Sequence, residues 1–260
     1  MKIYGICPLS TISIYSKPDK RSEIVSQLLF GETFELVEEE DNWVKIACSW
    51  DKFEGWIDNK QFEEIDFESV KKIQADIAYS LEMSQPILGK NFYLPILMGS
   101  TLPMYDGINL KLLKERFTFS GQTIQPENVV ASQDLVIKIA RKYLYAPFMW
   151  GGRSPFGIDS AGLTQMVHKM IGINLPRLAK QQALKGELVD FINEVQVGDV
   201  AFFENHRGHI IHAGIILSET AVIHAWGRVR IDKIDHYGIY DIDTKRYTHK
   251  LRLVKRMLNL

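Results

Sequence analysis

Asp159 and Ser160 head a helical pattern, and His212 and His224 stand twelve residues apart in strand-like sequence. Together they offer a hydroxyl nucleophile, an imidazole base and a second ring to orient that base. Leu163, Met166, Val167, Met170 and Ile171 recur at helical spacing and stop before Gly172, which predicts one apolar helix face. Ser160 then lies in the first turn, where free backbone N–H groups and the helix dipole favour a developing anion. The same pair could simply cap the helix.

The base depends on strand geometry. In Ile210-Ile211-His212-Ala213-Gly214-Ile215-Ile216-Leu217, alternation puts Ile211, Ala213, Ile215 and Leu217 on one face and His212 on the other. A three-residue turn at Ser218-Glu219-Thr220 would make His224 the diagonal neighbour of His212 on the same face, within hydrogen-bonding reach. A two-residue turn would separate them. The alternative is that both are ordinary buried imidazoles. His206, His209 and His212 share a three-residue spacing, but on a strand that spacing alternates faces, and no Cys or acid cluster completes a ligand set. No metal and no cofactor are expected. His168 is expected on the helix surface, with His236 and His249 also at the surface.

These residues need elements to hold them. Ser132 is a good N-cap for an amphipathic helix through Leu135, Val136, Ile139, Ala140 and Tyr143, and Lys180 to Lys185 reads as helical. From Gly198 the chain turns to strands: Asp199 to Phe203, Ile210 to Leu217, Ala221 to Trp226 and Val229 to Ile231. A helical half carrying the nucleophile and an antiparallel sheet carrying the bases make an α+β, papain-like plan over residues 127–260. Residues 1–63 read as short strands with the Gly-Glu, Trp-x-x-Ile and Gly-Trp-Ile spacing of a small all-β barrel. Residues 64–126 read as a connecting helix from Glu64 to Gln85, with Val70, Ile73, Ile77 and Leu81 in register, followed by a second small β unit that is a candidate divergent copy of the first, so that one or two such barrels precede residue 127. At 260 residues the chain can bury a substantial core. Its net charge of -1 gives no electrostatic case for nucleic acid or anionic membranes. Cys7 and Cys48 are too few for a disulfide scaffold. No apolar run reaches membrane-spanning length, and the start does not read as a signal peptide, so a cytoplasmic setting is expected.

One long stretch goes further. Phe148-Met149-Trp150-Gly151-Gly152, Gly157-Ile158-Asp159-Ser160-Ala161-Gly162 and Leu175-Pro176-Arg177 resemble the NlpC-type cell-wall cysteine peptidases, with the start of the chain similar to a bacterial SH3-like domain. The resemblance implies γ-D-glutamyl-L-diamino acid endopeptidase ancestry of the dipeptidyl-peptidase VI type. It places Ser160 where the family has its nucleophilic Cys, and His212 and His224 as base and orienting partner. It implies a substrate-binding set of Phe148, Trp150, Asp159, Ala161 and Arg177, with Asp159 holding the N-terminal ammonium of a muropeptide that begins with L-Ala. Three departures stand out: Ser160 for Cys, Ala161 for Ser, and Phe148 for a Tyr that helps hold the oxyanion. An alcohol is far less acidic than a thiol, so weak or absent turnover is expected. The alternatives are a pocket that binds muropeptides without cutting them, or a scaffold acting through its SH3-like module.

Overall fold

The computed structural model describes residues 2–190 and 194–258. The chain forms two compact units, Met1–Val129 with Gly151–Pro155, and Val130–Trp150 with Phe156–Leu260.

In the first unit, seven antiparallel strands (Tyr4–Ile6, Thr11–Tyr15, Ile24–Leu29, Thr33–Glu40, Trp43–Cys48, Glu54–Asp58 and Glu63–Ile65) form one sheet. Alternation in Thr11–Tyr15 and Trp43–Cys48 turns Ile12, Ile14, Val44 and Ile46 inward against Leu28, Phe34 and Ile57. Cys7 and Cys48 are free thiols in that core, where burial raises their pKa. Asp66 caps a helix over Phe67–Ala75 by accepting from Ser69 N at 2.7 Å. The expected helix from Glu64 to Gln85 is therefore too long. Its helical spacing at Ile77 and Leu81 is coincidental, because Ala78–Ser80 is a buried strand paired with Thr101–Leu102 and Thr123–Ile124. A second sheet of Ser84–Leu88, Tyr93–Leu97, Asn109–Leu112 and Glu115–Thr118 follows. Its core of Ile87, Ile96, Leu110 and Phe117 is continuous with Ile6 and Phe30.

The segment Gly151–Pro155 is pinned within this unit. The Arg153 guanidinium meets Glu32 through two bonds of 2.8 and 2.9 Å and donates to the Gln27 carbonyl at 2.6 Å. Gly151 has φ +77° and a Cβ there would lie 2.3 Å from Ile24 O. Only glycine fits.

The second unit is built on a six-stranded antiparallel barrel. Val200–Glu204, Ile210–Ser218, Ala221–Trp226, Arg228–Asp235, Gly238–Asp241 and Arg246–Arg256 pair in sequence. The last strand pairs with both Gly238–Asp241 and Val200–Glu204, which closes the ring. Ala201, Phe203, Ile216, Val222, Ile234, Ile239 and Val254 cluster on the inner face. On the outer face Val200, Phe202 and Ala213 pack with Ala161, Leu175, Ala179 and Ala183.

The Ser160–Met170 helix packs on the Ile210–Ser218 and Ala221–Trp226 strands and against the Gln133–Lys142 and Ala179–Gln182 helices. All eleven of its residues are buried, so the expectation of a single apolar face with His168 at the surface is corrected. A helix enclosed on every side has no solvent face to offer. No helix among the described residues is long and apolar enough to cross a membrane.

His168 gives this packing a pH signature. Its Nδ1–H donates to the Thr164 carbonyl at 2.8 Å and its Nε2 has no hydrogen-bond partner among the described residues. Burial pushes its pKa down from 6.5 to about 4. The unfolded chain thus takes up a proton that the folded chain refuses, so stability is full above about pH 6.5 and falls as the pH drops toward 4. The loss from this residue reaches roughly 3 kcal/mol at pH 4. Urea unfolding at pH 7 and pH 4 should show it, with a smaller difference in His168→Met; an equal fall in both proteins would contradict it.

Candidate active site

Asp159 is the N-cap of the Ser160 helix, accepting from Gly162 N at 2.7 Å. Its two oxygens also take Arg177 at 3.0 and 2.6 Å. Arg177 is only 2 % exposed. Arg177, expected to bind substrate, holds the Asp159 carboxylate in place. Ala161, expected beside the substrate, is also buried. Its methyl belongs to the apolar cluster behind the helix, and its carbonyl accepts from Thr164 Oγ1 and Gln182 Nε2, both at 2.9 Å. Gln182, buried, also donates to the Pro176 carbonyl at 2.9 Å, so the segment around Arg177 is tied to the start of the helix. Phe148 pairs with Ile158 in an isolated bridge and donates its N–H to Gly227 O at 3.0 Å, next to the turn into Asp159. Trp150 is 60 % exposed.

The histidines meet inside the barrel. Phe203 lies opposite His212, Val222 opposite Asp232, and Ile239 opposite His249. Alternation therefore turns His212, Asp232 and His249 inward with those apolar partners, and His224, two residues from Val222, with them. Gly214 pairs with His224, making His212 the diagonal neighbour of His224. The turn is the two-residue Glu219–Thr220, not three residues. A bulge between Ile216 and Ser218 supplies the missing residue and restores the register.

The rings form a relay. His212 Nε2 lies 2.9 Å from His224 Nδ1, and His224 Nε2 lies 3.0 Å from Asp232 Oδ2. Asp232 Oδ1 accepts from Arg230 at 2.8 Å, and Arg230 also reaches Asp241 at 3.2 Å. Burial pushes the Asp232 carboxyl up, but the His224 and Arg230 hydrogen bonds more than offset this and hold it low. A carboxylate can only accept, so the proton of His224 sits on Nε2. Its bare Nδ1 then accepts from His212 Nε2–H, which leaves His212 Nδ1 as the free base. Burial, with His224 and His249 beside it, holds the His212 pKa well below its ordinary value. Burial likewise lowers the His224 pKa, against the opposing pull of Asp232. At neutral pH the rings are uncharged.

Asp232 and His249 were missed in the sequence. His249, expected at the surface, is 7 % exposed and stacks on His212 with ring centroids 4.0 Å apart. Burial takes its pKa down to about 4. A signal for Asp232 was available: folding about Gly227 sets His224 opposite Arg230 and makes Asp232 its diagonal neighbour. His249 carried no such local signal, because it comes from the strand that closes the barrel.

Ring nitrogens of His212, His224 and His249 lie within 4.8 Å of one another, whereas His206 and His209 are exposed and do not join them. The trio is a poor ligand set. Nitrogens of His212 and His224 point at each other, and the His212 and His249 rings are 27° from parallel. Lone pairs lying in two nearly parallel planes do not converge on one ion.

Ser160 is the incomplete part. Its Oγ accepts from Ala213 N at 3.4 Å, and among the described residues no hydrogen bond joins it to His212.

A serine at a buried helix N-terminus, bonded to a barrel strand that carries a chain of imidazoles, fits a papain-like α+β plan. Residues 145–252 match the NlpC/P60 family and residues 14–62 the bacterial dipeptidyl-peptidase Sh3 domain. The chain thus carries an NlpC/P60 domain over residues 145–252 and a bacterial SH3 domain over residues 14–62. It is 23% identical over 237 residues to dipeptidyl-peptidase 6 of Lysinibacillus sphaericus, covering 82% of this chain and 84% of that one. It is 27% identical over 234 residues to a gamma-D-glutamyl-L-lysine dipeptidyl-peptidase of Bacillus cereus, covering 78% and 68%. A solved NlpC/P60 family protein from Bacillus cereus shares the fold, with a TM-score of 0.83 at 19% identity over 98% of this chain and 99% of that one.

Removing the carboxylate should expose the cost of the relay. In Asp232→Ala the His224 Nε2–H and the Arg230 guanidinium lose their shared acceptor in a site 1 % exposed. The expected loss is about 3 kcal/mol in denaturant unfolding; a change under about 0.5 kcal/mol would show the carboxylate to be dispensable.

Proposed function

We propose that this chain binds cell-wall peptides that begin L-Ala-γ-D-Glu and continue with a diamino acid, and that it cleaves them at the γ-D-Glu to diamino acid bond slowly or not at all. The observation that carries this reading is the break in an otherwise assembled site. Base, orienting ring and carboxylate are joined by hydrogen bonds of 2.9 and 3.0 Å, but none joins Ser160 to His212. The names of the relatives supply the peptide class.

Attack would require His212 Nδ1 to take the Ser160 proton while the carbonyl is engaged. Ser160 carries a hydroxyl that stays protonated, and His212 is a weak base with its pKa pushed far down by burial. Phe148 offers no hydroxyl to the oxyanion. These shortfalls act on the transition state more than on the bound peptide, so affinity survives where turnover does not. Asp159 keeps its carboxylate, and its pairing with Arg177 fixes the orientation in which it would meet the peptide's terminal ammonium.

The test compares the present chain with Ser160→Cys on L-Ala-γ-D-Glu-diamino acid peptides. Both should bind in calorimetry with similar affinity. Ser160→Cys should turn over at least about a thousandfold faster, and Phe148→Tyr added to it should raise the rate further. Equal rates for the present chain and Ser160→Cys, or no binding by either, would overturn the proposal.

A further inference from the structure

The sheet of Ser84–Leu88, Tyr93–Leu97, Asn109–Leu112 and Glu115–Thr118 ends in two hairpin turns that lie side by side. Leu88 pairs with Tyr93 in its own hairpin and with Thr118 in the next. Past that row one strand runs forward into the Gly89–Phe92 turn. Its antiparallel neighbour runs back into the Leu113–Lys114 turn, so both turns leave the sheet at one end. The Phe92 ring meets Phe117 edge-on, with centroids 5.6 Å apart, and joins the two hairpins.

Both turns expose apolar side chains. Leu88, Phe92, Tyr93 and Leu113 are 41, 47, 75 and 41% exposed. One such residue is ordinary at a surface, but four on two adjoining turns make a patch. Leu113 is also strained: its φ of +54° is the left-handed conformation, which glycine or asparagine adopts readily in a two-residue turn and leucine does not.

The charges around the patch are of one sign. Lys90, Lys111, Lys114 and Arg116 are exposed, and Glu115 is the one acid within residues 88–93 and 111–116. Alternation from Thr118 puts Arg116 on the face of Leu88 and Tyr93, directly opposite Lys111. Like charges opposite one another across a strand pair are destabilising, and an anionic partner would relieve that repulsion. The net charge of -1 over the whole chain conceals this patch, because salt screens charges farther away than about 8 Å.

The order of these groups favours one kind of partner. Apolar side chains stand on the turns, and Lys111 and Arg116 stand on the strands behind them. A lipid surface has the matching order, with acyl chains beneath anionic headgroups, and the long stems of Lys90 and Lys114 let their ammonium groups stay at headgroup level. A nucleic acid would satisfy the cations but leave Leu88 and Leu113 without a partner.

We propose that these two turns dock the chain reversibly on an anionic lipid surface, with Phe92, Tyr93 and Leu113 entering the boundary of the acyl chains. The docking goes beyond the peptide reading above and does not depend on it.

Vesicle flotation of the full chain tests it, with vesicles of phosphatidylcholine alone and of phosphatidylcholine and phosphatidylglycerol in equal parts. The chain should bind the anionic vesicles about tenfold or more tightly than the neutral ones, and less tightly as salt is raised. Lys90→Glu combined with Lys114→Glu should weaken that binding about tenfold or more. Leu113→Gly should weaken it too, yet unfold at no lower temperature than the present chain, because glycine relieves the strain at this φ. Binding to neither vesicle, equal binding to both, or binding that survives the paired Glu substitutions would overturn the proposal. Anionic-vesicle binding that Leu113→Gly leaves intact would overturn the insertion and assign the cations to a soluble polyanion. A dimer in sedimentation that Tyr93→Ser separates would overturn it in favour of a second copy of this chain.

Discussion

Asp232 lies almost fully buried inside the barrel and accepts from His224 Nε2 at 3.0 Å. The protonation pattern of the site follows from that bond. The carboxylate sets the tautomer of His224, His224 sets that of His212, and the free nitrogen of His212 is turned away from its ring partner. Arg230 and Asp241 support the carboxylate from behind. Because one residue of strand slip turns every side chain over, the relay exists only if three adjacent strands hold their register. The bulge between Ile216 and Ser218 keeps it on one side, and the tight turn at Gly227 keeps it on the other. Closure of the barrel by Arg246–Arg256 then walls it in and brings His249 against His212.

The helix side is organised by a different constraint. Asp159 caps the Ser160 helix and pairs with buried Arg177, while Gln182 ties the same segment to the Ala161 carbonyl. This frame depends on backbone, carboxylate and amide groups and involves neither Ser160 Oγ nor a Ser hydroxyl at 161. Ser160 Oγ takes only a long bond, from Ala213 N, among the described residues.

Much of this was legible in the residues. The alternation around His212 and the spacing to His224 placed both on one strand face, and helical periodicity placed Ser160 in a first turn. The turn itself was misjudged: it has two residues, and the correct register came from a bulge that no residue type announces. The extended helix after residue 64 failed because burial of Ala78–Ser80 between two strands overrides a periodicity that Ile77 and Leu81 only happen to continue. Arg177 and Ala161 are both buried within the frame of the Ser160 helix. Motif spacing shows that residues belong to a site but not whether they face the ligand or brace those that do. His249 was out of reach, since its neighbours are set by barrel closure across the full length of the domain.

The central claim is that Asp232, His224 and His212 form one hydrogen-bonded chain of uncharged rings ending in a bare His212 Nδ1. Nitrogen-detected NMR of the imidazole rings at neutral pH tests this most directly, because it reads the tautomer and charge of each histidine. The account predicts both His212 and His224 as neutral rings protonated at Nε2. A His212 ring protonated at Nδ1, or an imidazolium at either position, would contradict it.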